Sequence, residues 1–156
     1  MEGFLKRIAV VQVLLAIAIV APGLAFGAVH PPALAALTAL AAALLFALAL
    51  DRGRESGLEI DFVDALLLGL AAFTALQLLP LPSGVVSFIS PNAYEIRSRA
   101  VAALGLAGPS FMPLTLDASL TAAELAKLFV YLAVYRGARF ASKREGPDFV
   151  YKAVVV

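Results

Sequence analysis

Three stretches of this chain contain no Asp, Glu, Lys or Arg: Ile8 to Val29, Ala33 to Leu50, and Ala65 to Pro82. About 20 apolar residues in a helix cross the roughly 30 Å hydrocarbon core of a bilayer. No water reaches peptide groups in that layer, so segments that cross it must satisfy their backbone internally, as helices do. The whole chain is 62% hydrophobic and 15% charged, against about a quarter charged in an ordinary soluble domain. The excess is concentrated in the uncharged runs. These features predict an all-α integral membrane protein in a single membrane domain, 1–156.

A net charge of +1 gives no electrostatic footprint for nucleic acid. The absence of cysteine removes disulfides, thiolate metal sites and thiol chemistry. A single histidine, His30, removes multi-histidine metal centres, so neither a metal nor a cofactor is expected. His30 stands before Pro31-Pro32 in a predicted turn and carries no assigned chemistry.

The first span is expected over about 8–29. Lys6 and Arg7 precede it as they would a signal peptide, and Pro22-Gly23 before Ala25-Phe26-Gly27 resembles a cleavage region. Because the apolar run continues to Val29, an uncleaved anchor is expected. Pro22 should kink its outer end, and Gly23 with Gly27 forms a small pair that permits close helix approach. Span two, about 33–50, places Ala35, Ala39, Ala43 and Ala47 on one face, a ridge suited to packing against a neighbouring span.

A charged loop from Asp51 to Asp61 precedes span three, about 62–79. Asp64 one turn inside its start complements the helix N-terminus. Thr74 and Gln77 share a face and are expected to bond to a neighbouring helix. Pro80-Leu81-Pro82 then ends the helix and opens a loop over 80–121. Within it, Ser90-Pro91 reads as an N-cap followed by proline at the first helical position. Tyr94, Val101 and Leu104 share one face, and Glu95 with Arg99 forms an i,i+4 pair. A short amphipathic outer helix lying in the interface is expected here, ended by Gly105, Gly108 and Pro109. Thr121-x-x-Glu124 is a capping-box pattern that starts span four, about 122–140. Arg136 and Arg139 at its far end can reach the headgroups, and Glu124 is the natural partner of Lys127. Gly146-Pro147 restarts an apolar stretch, read as the truncated start of a fifth span over 148–156.

Lys and Arg on the short connections set orientation. With a cytoplasmic N-terminus, the inner segments hold Lys6, Arg7, Arg52, Arg54, Arg136, Arg139, Lys143 and Arg144, and the outer ones only Arg97 and Arg99. The 80–121 loop is therefore expected on the side away from the cytoplasm, the periplasm in a Gram-negative host.

Gln77-Leu78-Leu79-Pro80-Leu81-Pro82, Ile89-Ser90-Pro91, Pro113-Leu114-Thr115-Leu116-Asp117, Thr121 and Lys127-Leu128 together resemble the N-terminal part of bacterial O-antigen ligase and O-antigen polymerase-like membrane proteins. The resemblance implies a lipid-linked glycan transferase of the bacterial inner membrane, serving lipopolysaccharide biosynthesis in the cell envelope. Its partner is a glycan on undecaprenyl diphosphate. It also implies that the family's catalytic arginine and histidine lie in an outer loop downstream of this sequence, so no residue here inherits a catalytic role.

From the residues themselves, Lys127, Arg97 and Arg99 form a cationic set on the expected outer side, suited to the diphosphate of a membrane lipid carrier. The competing reading is a Glu124–Lys127 structural pair with two solvated arginines. A second function class also fits: a small non-catalytic membrane subunit packing against a larger membrane complex through the Ala ridge and the Gly pair.

Overall fold

The computed structural model describes residues 2–24, 31–50 and 60–145. Six helices and one short ladder occur among them: α1 (Glu2–Leu24), α2 (Pro31–Leu50), α3 (Phe62–Leu78), β1 (Leu81–Pro82), α4 (Ser83–Ile89), α5 (Pro91–Ala103), β2 (Phe111–Met112) and α6 (Ala118–Glu145). The all-α expectation holds. His30, Gly27 and the 148–156 stretch lie outside the described residues.

Two helices, α2 and the Ala118–Lys143 part of α6, are long and apolar enough to cross a membrane. The four crossing helices expected from the sequence are not all of that length. The described apolar part of α1 is Val10–Ala21. The 17 residues of α3 rise about 26 Å, somewhat less than a hydrocarbon core. The helix limits follow local chemistry. Pro31 and Pro32 occupy the first turn of α2, where a missing N–H costs nothing. Pro80 falls two residues beyond α3, where it prevents continuation.

The chain divides into two compact units, Met1–Leu68 with Ala126–Val156, and Gly69–Leu125. In the first, Val11 and Leu15 of α1, Leu37, Ala41 and Leu44 of α2, and Val130, Ala133 and Ala141 of α6 form one core. The packing face of α2 is therefore not the expected alanine ridge as a whole: Ala35, Ala39 and Ala43 are exposed, and of the four only Ala47 packs against the core. A helix apolar all round has no stripe from which its inner face can be read. Here Leu37 and Leu44 take the contact together with Ala41, the leucines burying more area per residue. Gly137 of α6 sits where α1 and α2 approach. A Cβ added there would lie 3.1 Å from both Leu15 Cδ1 and Leu44 Cδ2.

The second unit packs around Val86 of α4, Ala93 of α5 and Met112 of β2, all buried. β1 pairs with β2 antiparallel, with Leu81 opposite Met112 and Pro82 opposite Phe111. Where one outer helix was expected there are two, because Pro91 disfavours helical geometry at the residue before it. Ser90 adopts φ −140° and ψ 76°, which separates α4 from α5. Proline does open α5 as expected, but the Ser90 side chain makes no capping hydrogen bond. The helix ends in a Schellman motif, with Leu106 N donating to Val101 O and Gly105 N to Ala102 O. Gly105 has the left-handed φ of 68° that this motif requires.

Candidate functional site

Two polar networks hold most of the chemistry among the described residues, one in each unit. The first surrounds the start of α3. Asp61 is its N-cap: Asp64 N donates to Asp61 Oδ1 at 2.9 Å, and Asp61 N points back at Asp64 Oδ2 at 3.5 Å. This is a capping box built from two aspartates. Ala65 N closes the first helical bond to Asp61 O. The D-x-x-D spacing is its signal in the sequence, whereas the run of charges assigns Asp61 to the preceding loop.

Two successive turns of α6 then meet these carboxylates. Arg136 Nε donates to Asp64 Oδ1 at 2.8 Å, and Arg139 Nη1 lies 3.1 Å from Asp61 Oδ2 and 3.4 Å from Asp64 Oδ2. The Tyr135 hydroxyl donates to Asp61 Oδ2. Asp64 is completely buried. Arg136 and Arg139, expected to reach outward to headgroups, are thus turned onto the carboxylates of α3. A buried carboxylate without a cationic partner is far costlier than an arginine drawn from the interface. The Tyr135 hydrogen bond, aided by the Asp64 backbone N–H and the nearby Arg139 charge, holds the Asp61 carboxyl below its ordinary value near 3.8.

The second network ties together residues that are far apart in the chain. Arg97 of α5 donates through Nη1 to Pro113 O at 2.9 Å and through Nη2 to Thr115 O. Thr115 N in turn donates to Gln77 O at the end of α3. The Thr115 hydroxyl lies 2.6 Å from that of Thr121 and 3.0 Å from Asp117 O. Asp117 caps α6, its Oδ1 accepting from Leu120 N at 2.9 Å and from Ser119 Oγ at 2.7 Å. The Leu120 amide and the Ser119 hydroxyl lower the Asp117 pKa below 3.8. So α6 begins four residues before the expected Ala122, and Thr121 is already helical, its hydroxyl bonded to Asp117 O. Thr74 does not reach another helix, because its hydroxyl returns to Leu70 O, one turn back in α3.

Of the three cations read as a lipid-diphosphate set, Arg97 is committed to the two carbonyls. Arg99 pairs with Glu95 along an exposed face of α5, as the i,i+4 spacing predicts. Lys127 is half-buried on α6. Among the described residues no three His, Asp or Glu side chains are grouped so as to hold a metal ion. An apolar groove of about 370 Å³ lies in the first unit, lined by Ala18, Ile19, Val130, Tyr131, Val134 and Tyr135, and carries no nucleophile or acid–base pair. Comparison with family models, with curated proteins and with solved structures gives no match for this chain.

Proposed function

We propose that the chain is a bilayer-embedded helical region, the N-terminal membrane part of an O-antigen ligase-like glycosyltransferase, and that it is not catalytic by itself. Membrane residence is supported by how little of its apolar surface is internal. Only 17% of the apolar window of α2 and 11% of that of α6 is buried, whereas the core helix of a soluble protein is mostly buried. Phe46, Leu66 and Phe73 are among the large side chains left exposed, a pattern whose natural solvent is lipid. In this reading four helices cross a bacterial inner membrane, with the N-terminus cytoplasmic and 80–121 outside.

The observation that carries the family reading is the second network. Gln77, Pro113, Thr115, Asp117 and Thr121, five of the residues on which the resemblance rests, form one hydrogen-bonded set together with Arg97. The motif then has a physical task, to fix the outer segment where it joins α3 and α6. Lys127, Arg97 and Arg99 are assigned to the diphosphate of a polyprenyl carrier. Arg97 offers its remaining N–H groups, and Arg99 must exchange Glu95 for phosphate.

The absence of cysteine makes the topology directly testable. Single cysteines at Ser90 and Lys143 are labelled with a membrane-impermeant maleimide in intact cells and in opened ones. The reading requires labelling of Ser90→Cys from outside and of Lys143→Cys only after opening. Labelling of both from one side rejects it. For the ligand, Lys127→Ala should weaken retention of undecaprenyl diphosphate in detergent micelles, and unchanged retention removes that assignment. A non-catalytic subunit of a larger membrane complex is the second reading, favoured by the exposed small-residue face Ala35, Ala39 and Ala43, which admits a close helix. Copurification of an intact complex that is lost on Ala39→Phe would select it.

A further inference from the structure

The segment between α3 and α6 has the surface of a membrane-contacting element rather than of a water-exposed loop. From Leu78 to Leu116 the only charged residues are Glu95, Arg97 and Arg99, where about ten would stand in a soluble stretch of that length. Arg97 is turned inward onto Pro113 and Thr115. The segment nevertheless leaves large apolar side chains uncovered. Phe88 is 88% exposed, Leu104 74%, Leu106 63% and Phe111 61%, with Val85, Ile89 and Ile96 also exposed. On α4 the pattern is directional: Val86 is fully buried, while Val85, Phe88 and Ile89, spaced i, i+3, i+4, share an adjoining face that is exposed. That face has the spacing of a helix core but nothing in the unit covers it.

We infer that α4 and the chain ends flanking α5 dock on the bilayer from which α3 and α6 emerge, with Phe88 and Ile89 inserted at the headgroup–acyl boundary. This rests on the membrane reading above. The occupant follows from chain reach. α4 begins five residues after α3 ends, and five residues span at most about 18 Å. The two ends of the segment are also tied by the Thr115 N to Gln77 O bond. The start of α4 is therefore held within about 18 Å of the end of α3, and its face fits the interfacial layer in chemistry: uncharged, aromatic and aliphatic, with the exposed Glu95–Arg99 pair on the next helix. Within the same unit the exposed side chains of α3, Leu70, Phe73 and Leu76, lead through Leu79 toward α4, so the docking surface continues one already suited to lipid.

The chain has no tryptophan, so a single introduced indole reports on one place. Phe88→Trp, Glu95→Trp and Phe46→Trp are prepared in the full chain and reconstituted in phosphatidylethanolamine–phosphatidylglycerol vesicles, with lipids brominated either near the headgroup or deep in the acyl chain. Phe88→Trp should emit to the blue of Glu95→Trp and be quenched more strongly by the shallow bromines than by the deep ones. Phe46→Trp on α2 checks the membrane reading separately, since quenching there requires only that α2 meets lipid. If Phe46→Trp is quenched while Phe88→Trp emits at the wavelength of Glu95→Trp, the docking inference is wrong and the membrane reading stands. A blue-shifted Phe88→Trp that bromolipid does not quench is covered by a second copy or another protein, which also overturns the inference. If Phe46→Trp itself escapes quenching, both readings fall.

Discussion

Replacing Asp64 by asparagine keeps the shape of the side chain and removes its charge. In the native protein the carboxylate has no exposed surface and accepts from Arg136 Nε at 2.8 Å, with Arg139 Nη1 at 3.4 Å and Asp61 N at 3.5 Å. Breaking a fully buried pair costs about 3–5 kcal/mol. The arginine side chains retain 22% and 28% of their exposure, so part of that penalty is relieved by water. Arg139 also keeps Asp61 at 3.1 Å. What is lost is one strong charge-assisted bond and a weak second one, and the expected destabilisation is about 2 kcal/mol, roughly 30-fold in the folding equilibrium. It can be measured as the shift in SDS-induced unfolding of the chain in detergent micelles, followed by circular dichroism. A cycle with Arg136→Gln should give a coupling of about 1–2 kcal/mol. A stability loss under about 0.5 kcal/mol for Asp64→Asn, the range of surface substitutions, would refute the idea that this pair fastens α3 to α6.

Three further outcomes follow from other contacts. Gly137→Leu places a side chain where Leu15 and Leu44 already stand 3.1 Å from a bare Cβ, and should cost about 1–3 kcal/mol in the same unfolding measurement; Gly137→Ser should cost less. Gly105→Ala forces a Cβ into the left-handed conformation and should cost about 1 kcal/mol, seen as faster proteolysis near the end of α5. Asp117→Asn alters the acid limb of stability. Asp61 and Asp117 have pKa values lowered on folding, so their contributions are complete above about pH 4 and disappear as pH falls through the depressed native values. Stability should be level from pH 7 to 5 and drop below 4, with a shallower drop in Asp117→Asn; parallel curves would count against the cap.

The helix limits were largely legible because they depend on local breakers. Pro31-Pro32, Pro80 and Ser90-Pro91 mark boundaries where the helices do begin and end. α4 was not legible, since a seven-residue stretch with two valines, a glycine and two serines has no helical propensity of its own. It is held by Val86 in the core of its unit. The start of α6 is expected at Thr121-x-x-Glu124, a spacing that gives no sign that Asp117, four residues earlier, caps the helix instead. The two networks were the least legible. Asp64 and Arg136 are 72 residues apart, and Arg97 is 16 and 18 residues from its acceptors, so no periodicity links them. The face of α2 was also hidden, because Ala and Leu alternate around it without a polar side to orient it.

The Asp64 contacts bear on how the protein is made. If α3 enters the bilayer as proposed above, its carboxylate arrives there before its arginine partners, because Arg136 follows Asp64 by 72 residues in the chain. An acidic residue within a segment adds up to about 3 kcal/mol to its insertion, less near a helix end, and α3 is already short. On that reading its stable seating in lipid waits for α6. In a nascent chain released before Arg136, α3 should be found partly untranslocated, and extension through Arg139 should restore it.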